Sequence, residues 1–196
     1  MSRYRGPRVK IVKRLGTLPG LTRKSPKKRS NRSRLSQYGV RLCEKQKLRY
    51  HYGLNEHQLV RYVKQAKQAS GSTSRALMQS LELRLDNIVF RLGFAPTIIA
   101  ARQLISHGHI MVNGKLLNIP SYSCKIGDSI EVQQNQKSQK LVENYIQTAP
   151  RRSKRASIPP HLNLRQNALS GRLQSTPRLD WTGIQINELL VVEFYS

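Results

Sequence analysis

Residues 84–132 read RLDNIVFRLGFAPTIIAARQLISHGHIMVNGKLLNIPSYSCKIGDSIEV, and the rest of the chain is organised around this stretch. Apolar residues recur every three or four positions from 77 to 92, which includes the first residues of this stretch. This spacing predicts a helix over 73–92 with one buried face. Gly93 follows where helices commonly end on a left-handed residue. Thr97 then suits the N-cap of a second helix, which we expect to end at Gly108.

The second predicted helix has a polar side and runs directly into a hairpin. Arg102 and Ser106 are four residues apart, so they share a face on the side opposite the apolar residues. Asn113-Gly114 lies between two short apolar runs and is a strong signal for a two-residue type I′ turn. A second strand pair is expected around IGDSIEV (126–132), with Gly127-Asp128 as its turn. A polar helix face beside a tight hairpin suits contact with a shaped RNA backbone. A small α+β core with an ordinary solvated face fits the periodicity equally well.

The charge of the chain requires a polyanionic partner. Thirty-five Lys and Arg residues against ten Asp and Glu give a formal net charge of +25 over 196 residues. An excess of this size points to nucleic acid. The two cysteines, Cys43 and Cys124, lie far apart in sequence and indicate no disulfide framework.

Residues 1–50 hold most of this charge. They contain 17 basic residues and one acid, which gives 17 − 1 = +16. Phosphates would relieve the repulsion within such a run, and Tyr4 between two arginines adds a stacking surface. Adjacent Gly and Pro residues at 6–7 and 19–20 favour a structured RNA contact over a disordered basic tail. The segment 22–39 has almost no apolar residues and is predicted to be a linker or loop.

Further helices are predicted on both sides of the central stretch. Periodicity indicates one over 37–50. Asn55 opens a capping-box signature for another, which should end at Gly71. A short helix is expected at 137–147.

The C-terminal part of the chain is less regular. Residues 161–182 look irregular or hairpin-like around Ser170-Gly171, with Trp181 as a packing anchor. The final NELLVVEFYS is ambiguous, since its paired valines favour a strand whereas Asn187 as N-cap favours a helix.

Four separated blocks of the sequence carry a family resemblance. They are YRGPRVKIVKRLGTLPGLT, EKQKLRYHYGL, the run from RLDNIVFRLG to ARQLISHGHIMVNGKLLNIPSY, and INELLVVEFYS. In their order and in their amino-acid sequence they closely resemble the fourth protein of the small ribosomal subunit, and they are most similar to plastid members. Four blocks in one order are more specific than any single motif.

The resemblance implies an α+β fold in three segments. Residues 1–83 would form a basic, mainly helical N-terminal domain. Residues 84–146 would form an inserted RNA-binding module of two helices and a small antiparallel sheet, the alpha-L motif. Residues 147–196 would pack back on the helical domain, ending in a C-terminal helix.

The resemblance also implies which residues contact RNA. Those near the start match the family's rRNA-contacting segment, and three arginines before LSQYG match arginines that face incoming mRNA. The others lie in the helices and in the module. The predicted RNA-binding residues are Arg3, Tyr4, Arg5, Arg8, Lys10, Arg14, Arg29, Arg32, Arg34, Lys47, Arg49, Arg84, Arg91, Arg102, Gln103, Ser106, His107, His109, Asn113, Lys115 and Tyr122.

The implied function is structural, in a plastid small ribosomal subunit. Expected partners are small-subunit rRNA, other small-subunit proteins, notably the fifth, and mRNA where it enters the subunit. The chain would bind the 5′ domain of the rRNA early in assembly and support decoding accuracy. Residues 1–20 are basic but lack the Ser-rich amphipathic character of a transit peptide, and no apolar run is long enough to span a bilayer. We therefore expect synthesis inside the organelle, a place in the ribosomes of the stroma, and no membrane partner.

We expect neither catalysis nor a metal or other cofactor. Asp86 and Asp128 are expected to be structural. His107 and His109 could be metal ligands, but the helix-to-strand corner of the module explains both. Bacterial members often carry cysteine ligands in the 22–39 loop, whereas this chain has no cysteine before residue 43.

Two other functions fit parts of the sequence. Related modules occur in RNA pseudouridine synthases and tyrosyl-tRNA synthetases, so a stand-alone RNA-binding or RNA-modifying protein is one alternative. Such enzymes need a catalytic domain of roughly 150 residues. The two basic flanks of this module contain no set of residues of the kind that forms a catalytic site. A non-specific nucleic-acid-compacting protein would explain the charge but not the four blocks.

Overall fold

The computed structural model describes residues 4, 6–24, 26, 35–148, 158–165, 169–178 and 181–196. The chain divides into two compact units, Met1–Leu81 with Thr182–Ser196, and Glu82–Trp181. The described ranges contain eight α-helices and five β-strands, which confirms the α+β class. None of the helices in these ranges is both long and apolar enough to cross a membrane.

The first unit is helical. Asn55 caps one of its helices through the predicted capping box, with its side chain accepting from Gln58 N at 2.8 Å. That helix ends at Gln68, three residues before the expected Gly71. A short helix at residues 8–15, which the sequence did not predict, buries Val12 and Leu15. The helices of this unit are α1 Arg8–Leu15, α2 Gln37–His51, α3 Glu56–Gln68, α4 Thr73–Glu82 and α8 Glu188–Phe194.

The last residues of the chain form a helix that packs on α2. Asn187 is the N-cap of α8, accepting from Leu189 N at 3.2 Å. Arg41 Nε donates to Glu193 Oε2 at 2.9 Å, and Lys45 Nζ lies 4.3 Å from the centre of the Phe194 ring. These contacts confirm the terminal helix that the resemblance implied.

The second unit packs helices against one antiparallel sheet. The strand order is β2-β1-β3-β5-β4, so the predicted hairpin lies at one edge. Its core includes Ile88, Val89, Ile105 and Ile130, all almost fully buried. The elements are α5 Leu85–Arg91, α6 Ile98–Ser106, β1 Ile110–Val112, β2 Lys115–Leu116, β3 Ser129–Val132, α7 Gln136–Gln147, β4 Leu162–Arg165 and β5 Ser170–Leu173.

The predicted helix over 73–92 is wrong in one respect, because it is two helices. The chain is extended at Arg84, with φ −67° and ψ 137°, between α4 and α5. Arg84 there forms an isolated antiparallel bridge with Ser123, and Cys124 N donates to Leu83 O at 2.9 Å. The apolar residues of the predicted stripe are nevertheless buried in both helices.

The region after residue 147 differs from expectation. Ser170 and Gly171 lie in β5 and are not a turn, and Gly171 pairs with Ile130 of β3. A Cβ at Gly171 would come within 3.0 Å of the Leu92 methyl groups, so a larger residue at this strand position would displace the Leu92 side chain. Strands β4 and β5 thus extend the module's sheet, and only 182–196 of the expected third segment belong to the first unit. Trp181 is 38% exposed and is not the expected packing anchor.

Candidate nucleic-acid interface

Three charged side chains form a buried cluster inside the second unit. Arg84 donates to both carboxylate oxygens of Asp86, at 3.0 and 2.7 Å, and Arg102 Nε donates to Asp86 Oδ2 at 2.7 Å. All three residues are buried. The expectation that Arg102 lies on an exposed helix face is therefore wrong, and Arg84, which was also predicted to bind RNA, is buried as well. Arg102 follows Ile98 by one helical turn, so it points to the same side of α6, where Asp86 offsets its charge.

A second internal ion pair involves the remaining arginine of the module. Arg91 donates to Glu82 Oε1 at 3.0 Å, and Asn87 Nδ2 donates to Glu82 Oε2 at 2.8 Å. Glu82 is buried, and the Arg91 side chain is only 10% exposed. The three arginines predicted to face RNA in this module thus make internal ion pairs that stabilise the fold.

The exposed polar surface of α6 lies at its C-terminal end. Gln103, Ser106 and His107 are exposed there. His109 is half-buried, and its Nδ1 lies 2.9 Å from the Ser138 hydroxyl at the start of α7. The His107 and His109 rings are 6.2 Å apart. These four predicted residues are therefore brought together where α6 meets β1.

The predicted Asn113-Gly114 turn is confirmed. Both residues have positive φ angles, 50° and 74°. The Asn113 side chain is used within the fold: its Nδ2 donates to Asp128 Oδ1 at 2.8 Å, and its Oδ1 accepts from Ser129 N at 2.9 Å. Lys115 is exposed on β2, and Tyr122 is half-buried. Asn113 thus ties the hairpin to the next turn, while Lys115 points outward.

Helix α1 presents cations on one side and apolar residues on the other. Arg8, Lys10 and Arg14 are exposed, as is Lys13, which the resemblance did not single out. The exposed Tyr4 ring packs edge-on against Tyr50, with centroids 5.4 Å apart. The amphipathic helix therefore holds three of the predicted contacts on one short, rigid element.

Two other predicted contacts in the first unit have internal partners. Lys47 forms an ion pair with Glu44 along α2. The Arg49 guanidinium lies 3.8 Å from Glu56 and 4.7 Å from the centre of the Tyr50 ring. Both side chains are therefore held by the protein itself.

Glu56 is the centre of a charged cluster that binds Tyr195, the residue after α8. It accepts hydrogen bonds from Lys45 and from the Tyr195 hydroxyl. Burial opposes ionisation of Glu56, but these hydrogen bonds and the charges of Lys45 and Arg49 outweigh it and lower its pKa. Burial, with the bond to Glu56, raises the pKa of Tyr195.

Five predicted contacts cannot be located, because Arg3, Arg5, Arg29, Arg32 and Arg34 lie outside the described residues. Their roles stay predictions.

Exposed cations that the sequence did not predict to contact RNA occur beyond β3. Lys137 and Lys140 are exposed on α7, and Arg165 and Arg172 on the outer side of β4 and β5. Arg172 Nε donates to Gly127 O at 3.2 Å. The alternation of apolar and polar residues in LNLR and SGRL is the signal that could have found the two strands.

Nothing in the described ranges forms a metal centre, since no three His, Cys, Asp or Glu side chains there are grouped to hold an ion. Cys124 is buried in the core, and burial, with the nearby charges of Asp128 and Asp86, raises its pKa to about 12. Its thiol therefore stays protonated and acts as a small apolar core residue.

Comparison with known proteins identifies both units. The family model "Ribosomal protein S4/S9 N-terminal domain" matches residues 3–82, and the "S4 domain" model matches residues 83–130. The small ribosomal subunit protein uS4 of Nostoc sp. is 53% identical over 203 aligned residues, covering 100% of this chain and 98% of the relative. The small ribosomal subunit protein uS4c of Pyropia yezoensis is 54% identical over 203 aligned residues, which cover 100% of this chain and 99% of the relative. The uS4c protein of Rhodomonas salina is 53% identical over 203 aligned residues, which cover 100% of this chain and 98% of the relative. The chain belongs to the uS4 family of small ribosomal subunit proteins.

Proposed function

We propose that the chain is a structural protein of the small ribosomal subunit that binds its rRNA directly. The observation that carries this proposal is the exposed cationic side of α1. Arg8, Lys10 and Arg14 are exposed, and none has an ion-pair partner among the described residues. With a net charge of +25, a phosphate backbone is the partner that neutralises them. The relatives named above are ribosomal proteins and not enzymes.

The finer role follows from the family resemblance. We infer that the chain binds the 5′ domain of the rRNA early and nucleates assembly of the subunit body. It then contributes to translational accuracy near the channel where mRNA enters, with the fifth small-subunit protein as a neighbour. The exposed helix α1 supports the first part of this role, because a preformed cationic element can bind RNA without a further ordering cost.

The proposed location is the plastid ribosome, in the stroma. The support is the similarity to uS4c proteins of Pyropia yezoensis and Rhodomonas salina. Isolating ribosomes from purified plastids and identifying the chain by mass spectrometry in their small subunits tests this location. Recovery of the chain only from ribosomes outside the organelle would contradict it.

Competition binding tests the function itself. The full chain is mixed with transcribed small-subunit rRNA and increasing duplex DNA of equal phosphate concentration, and the retained RNA is measured. A ribosomal protein should retain the rRNA in excess duplex DNA. Equal competition by DNA would favour a non-specific compacting protein instead.

A pair of double variants tests whether assembly and mRNA passage use different residues. Reversing Arg5 and Arg8 should block incorporation into the small subunit. Reversing Arg32 and Arg34 should leave incorporation intact and slow translation of messages that carry a hairpin near their start. If both variants behave alike in both assays, only total charge matters and the division is wrong.

A further inference from the structure

A cavity of about 260 Å³ lies beside the hairpin at the edge of the sheet. Its lining residues are Val112, Asn113, Lys115, Leu117 and Tyr122. Asn113 and Lys115 are exposed, so the cavity can be reached from solvent. It is somewhat smaller than the roughly 300–1,000 Å³ of sites that enclose a drug-sized ligand, so a single planar ring system suits it better.

The floor of the cavity is apolar. Val112 and Lys115 are cross-strand partners of β1 and β2, so their side chains share one face of the sheet. Val112 is buried, and Leu117 beside it is half-buried and held by its N–H, which donates to Ile110 O at 3.3 Å. A flat aromatic ligand could lie on this floor without leaving polar groups unpaired.

Tyr122 contributes the aromatic wall of the cavity. Its N–H donates to Ile119 O at 3.1 Å, and its carbonyl accepts from Leu85 N at 2.9 Å, so the backbone is held on both sides. The ring is half-buried, and its hydroxyl has no hydrogen-bond partner among the residues that the structure describes. A partly exposed ring on a hydrogen-bonded backbone is a surface on which a nucleobase can stack.

Lys115 supplies the charge at the rim. It has no ion-pair partner in the described part of the chain, whereas Arg84, Arg91 and Arg102 are paired with buried carboxylates. Asn113 is committed to Asp128 and Ser129 and positions the turn. The cavity therefore combines an apolar floor, an aromatic wall and one cation that faces solvent.

We propose that this cavity binds one unpaired nucleobase of RNA, stacked on Tyr122 with its phosphate beside Lys115. The proposal rests on the proposed rRNA binding and deepens it. An aliphatic side chain of a neighbouring protein would also fill the apolar floor. It would leave the Lys115 charge without an anion, so an RNA base is the occupant that uses all three features.

The test measures binding of the full chain to transcribed small-subunit rRNA at several salt concentrations. Tyr122→Leu removes the ring and Tyr122→Phe keeps it. Lys115→Met is paired with Lys125→Met, an exposed lysine that does not line the cavity. We expect Tyr122→Leu to weaken binding on the order of 10-fold with an unchanged salt slope, and Tyr122→Phe to bind like the parent. Lys115→Met should lower the salt slope more than Lys125→Met does.

The outcomes separate this site from the proposed function. If the parent chain does not prefer rRNA to duplex DNA, both proposals are wrong. If it does, and the leucine and phenylalanine variants bind equally well, the nucleobase site alone is wrong. Should Tyr122→Leu melt at a lower temperature, ultraviolet cross-linking of the parent complex decides instead. A nucleotide adduct on the peptide containing Tyr122 supports the site, and an adduct-free peptide overturns it.

Discussion

The Nε atom of Arg102 lies 2.7 Å from Oδ2 of Asp86, and both side chains are buried. Arg84 binds the same carboxylate. One buried acid therefore joins the residue before α5 to the middle of α6. The exposed end of α6 depends on this cluster for its position, although the arginines themselves face inward.

Arg102→Glu should unfold or strongly destabilise the second unit. If Arg102 lay on an exposed helix face, as the sequence predicted, the same change would weaken RNA binding and leave the fold unchanged. The substitution breaks a buried pair, at a cost of about 3–5 kcal/mol, and adds a second anion beside Asp86. Thermal melting followed by circular dichroism measures the effect, with the exposed neighbouring change Gln103→Glu as control. Equal melting temperatures for the two variants would show that the pair is dispensable.

Gly114→Val should destabilise the hairpin by about 1–3 kcal/mol, because a β-branched residue disfavours the φ of 74° found there. No atom lies within 4 Å of a Cβ at this position, so the loss would come from backbone conformation and not from a collision. Gly114→Asn is the matched control, since asparagine tolerates positive φ better. We expect a smaller drop in melting temperature for Asn than for Val, with rRNA affinity falling in the same order. No difference between the two would argue against a conformational cause.

His161 should make stability depend on pH. Its ring is buried, and neither ring nitrogen has a hydrogen-bond partner among the described residues. Burial lowers the pKa of His161; Glu82 opposes this shift and Arg91 adds to it. The unfolded chain therefore binds a proton near the ordinary pKa of about 6.5, where the folded chain does not.

The free energy of unfolding is then expected to fall as the pH drops below about 6.5 and to level off below the folded pKa. Melting temperatures measured from neutral to acidic pH check this for the parent, for His161→Phe and for His57→Phe, whose histidine is exposed on α3. The His161 variant should show the smaller decline on the acid side. Identical profiles for all three proteins would assign the pH dependence to other groups.

Neutralising Lys10 and Arg14 should reduce the salt dependence of rRNA binding by roughly two phosphate contacts. The control is Arg61 and Lys64, two exposed cations of α3 in the same unit. Both double variants, made with glutamine, lose two charges. If the slopes of log affinity against log salt change equally, the cations act as a diffuse cloud and α1 has no special role.

Local signals predicted local structure well. The Asn113-Gly114 turn and the Asn55 capping box each depend on residues a few positions apart, and the structure contains both. Arg102 was misplaced because its partner is 16 residues away. A periodicity argument assigns a charged residue to solvent unless a distant opposite charge is known.

The sheet was underestimated for a similar reason. Strand β5 pairs with β3 across about 40 residues of intervening chain, and β4 pairs with the other edge of β5. Short strands such as LNLR carry a weak signal alone; the open edge of β3 pairs with β5, and β5 in turn pairs with β4. The resemblance correctly implied the module but not the two strands that complete its sheet.

The first unit is assembled from both ends of the chain, whereas residues 82–181 are contiguous. Glu56 and Tyr195 are 139 residues apart, and Arg41 and Glu193 are 152 apart. During synthesis, α2 and α3 leave the exit tunnel long before α8 is made. We therefore expect the contiguous unit to reach its native state on the nascent chain first, leaving the N-terminal helices without α8 until residues 182–196 have been made. The usual order, in which the N-terminal unit matures before the rest, is reversed in this topology.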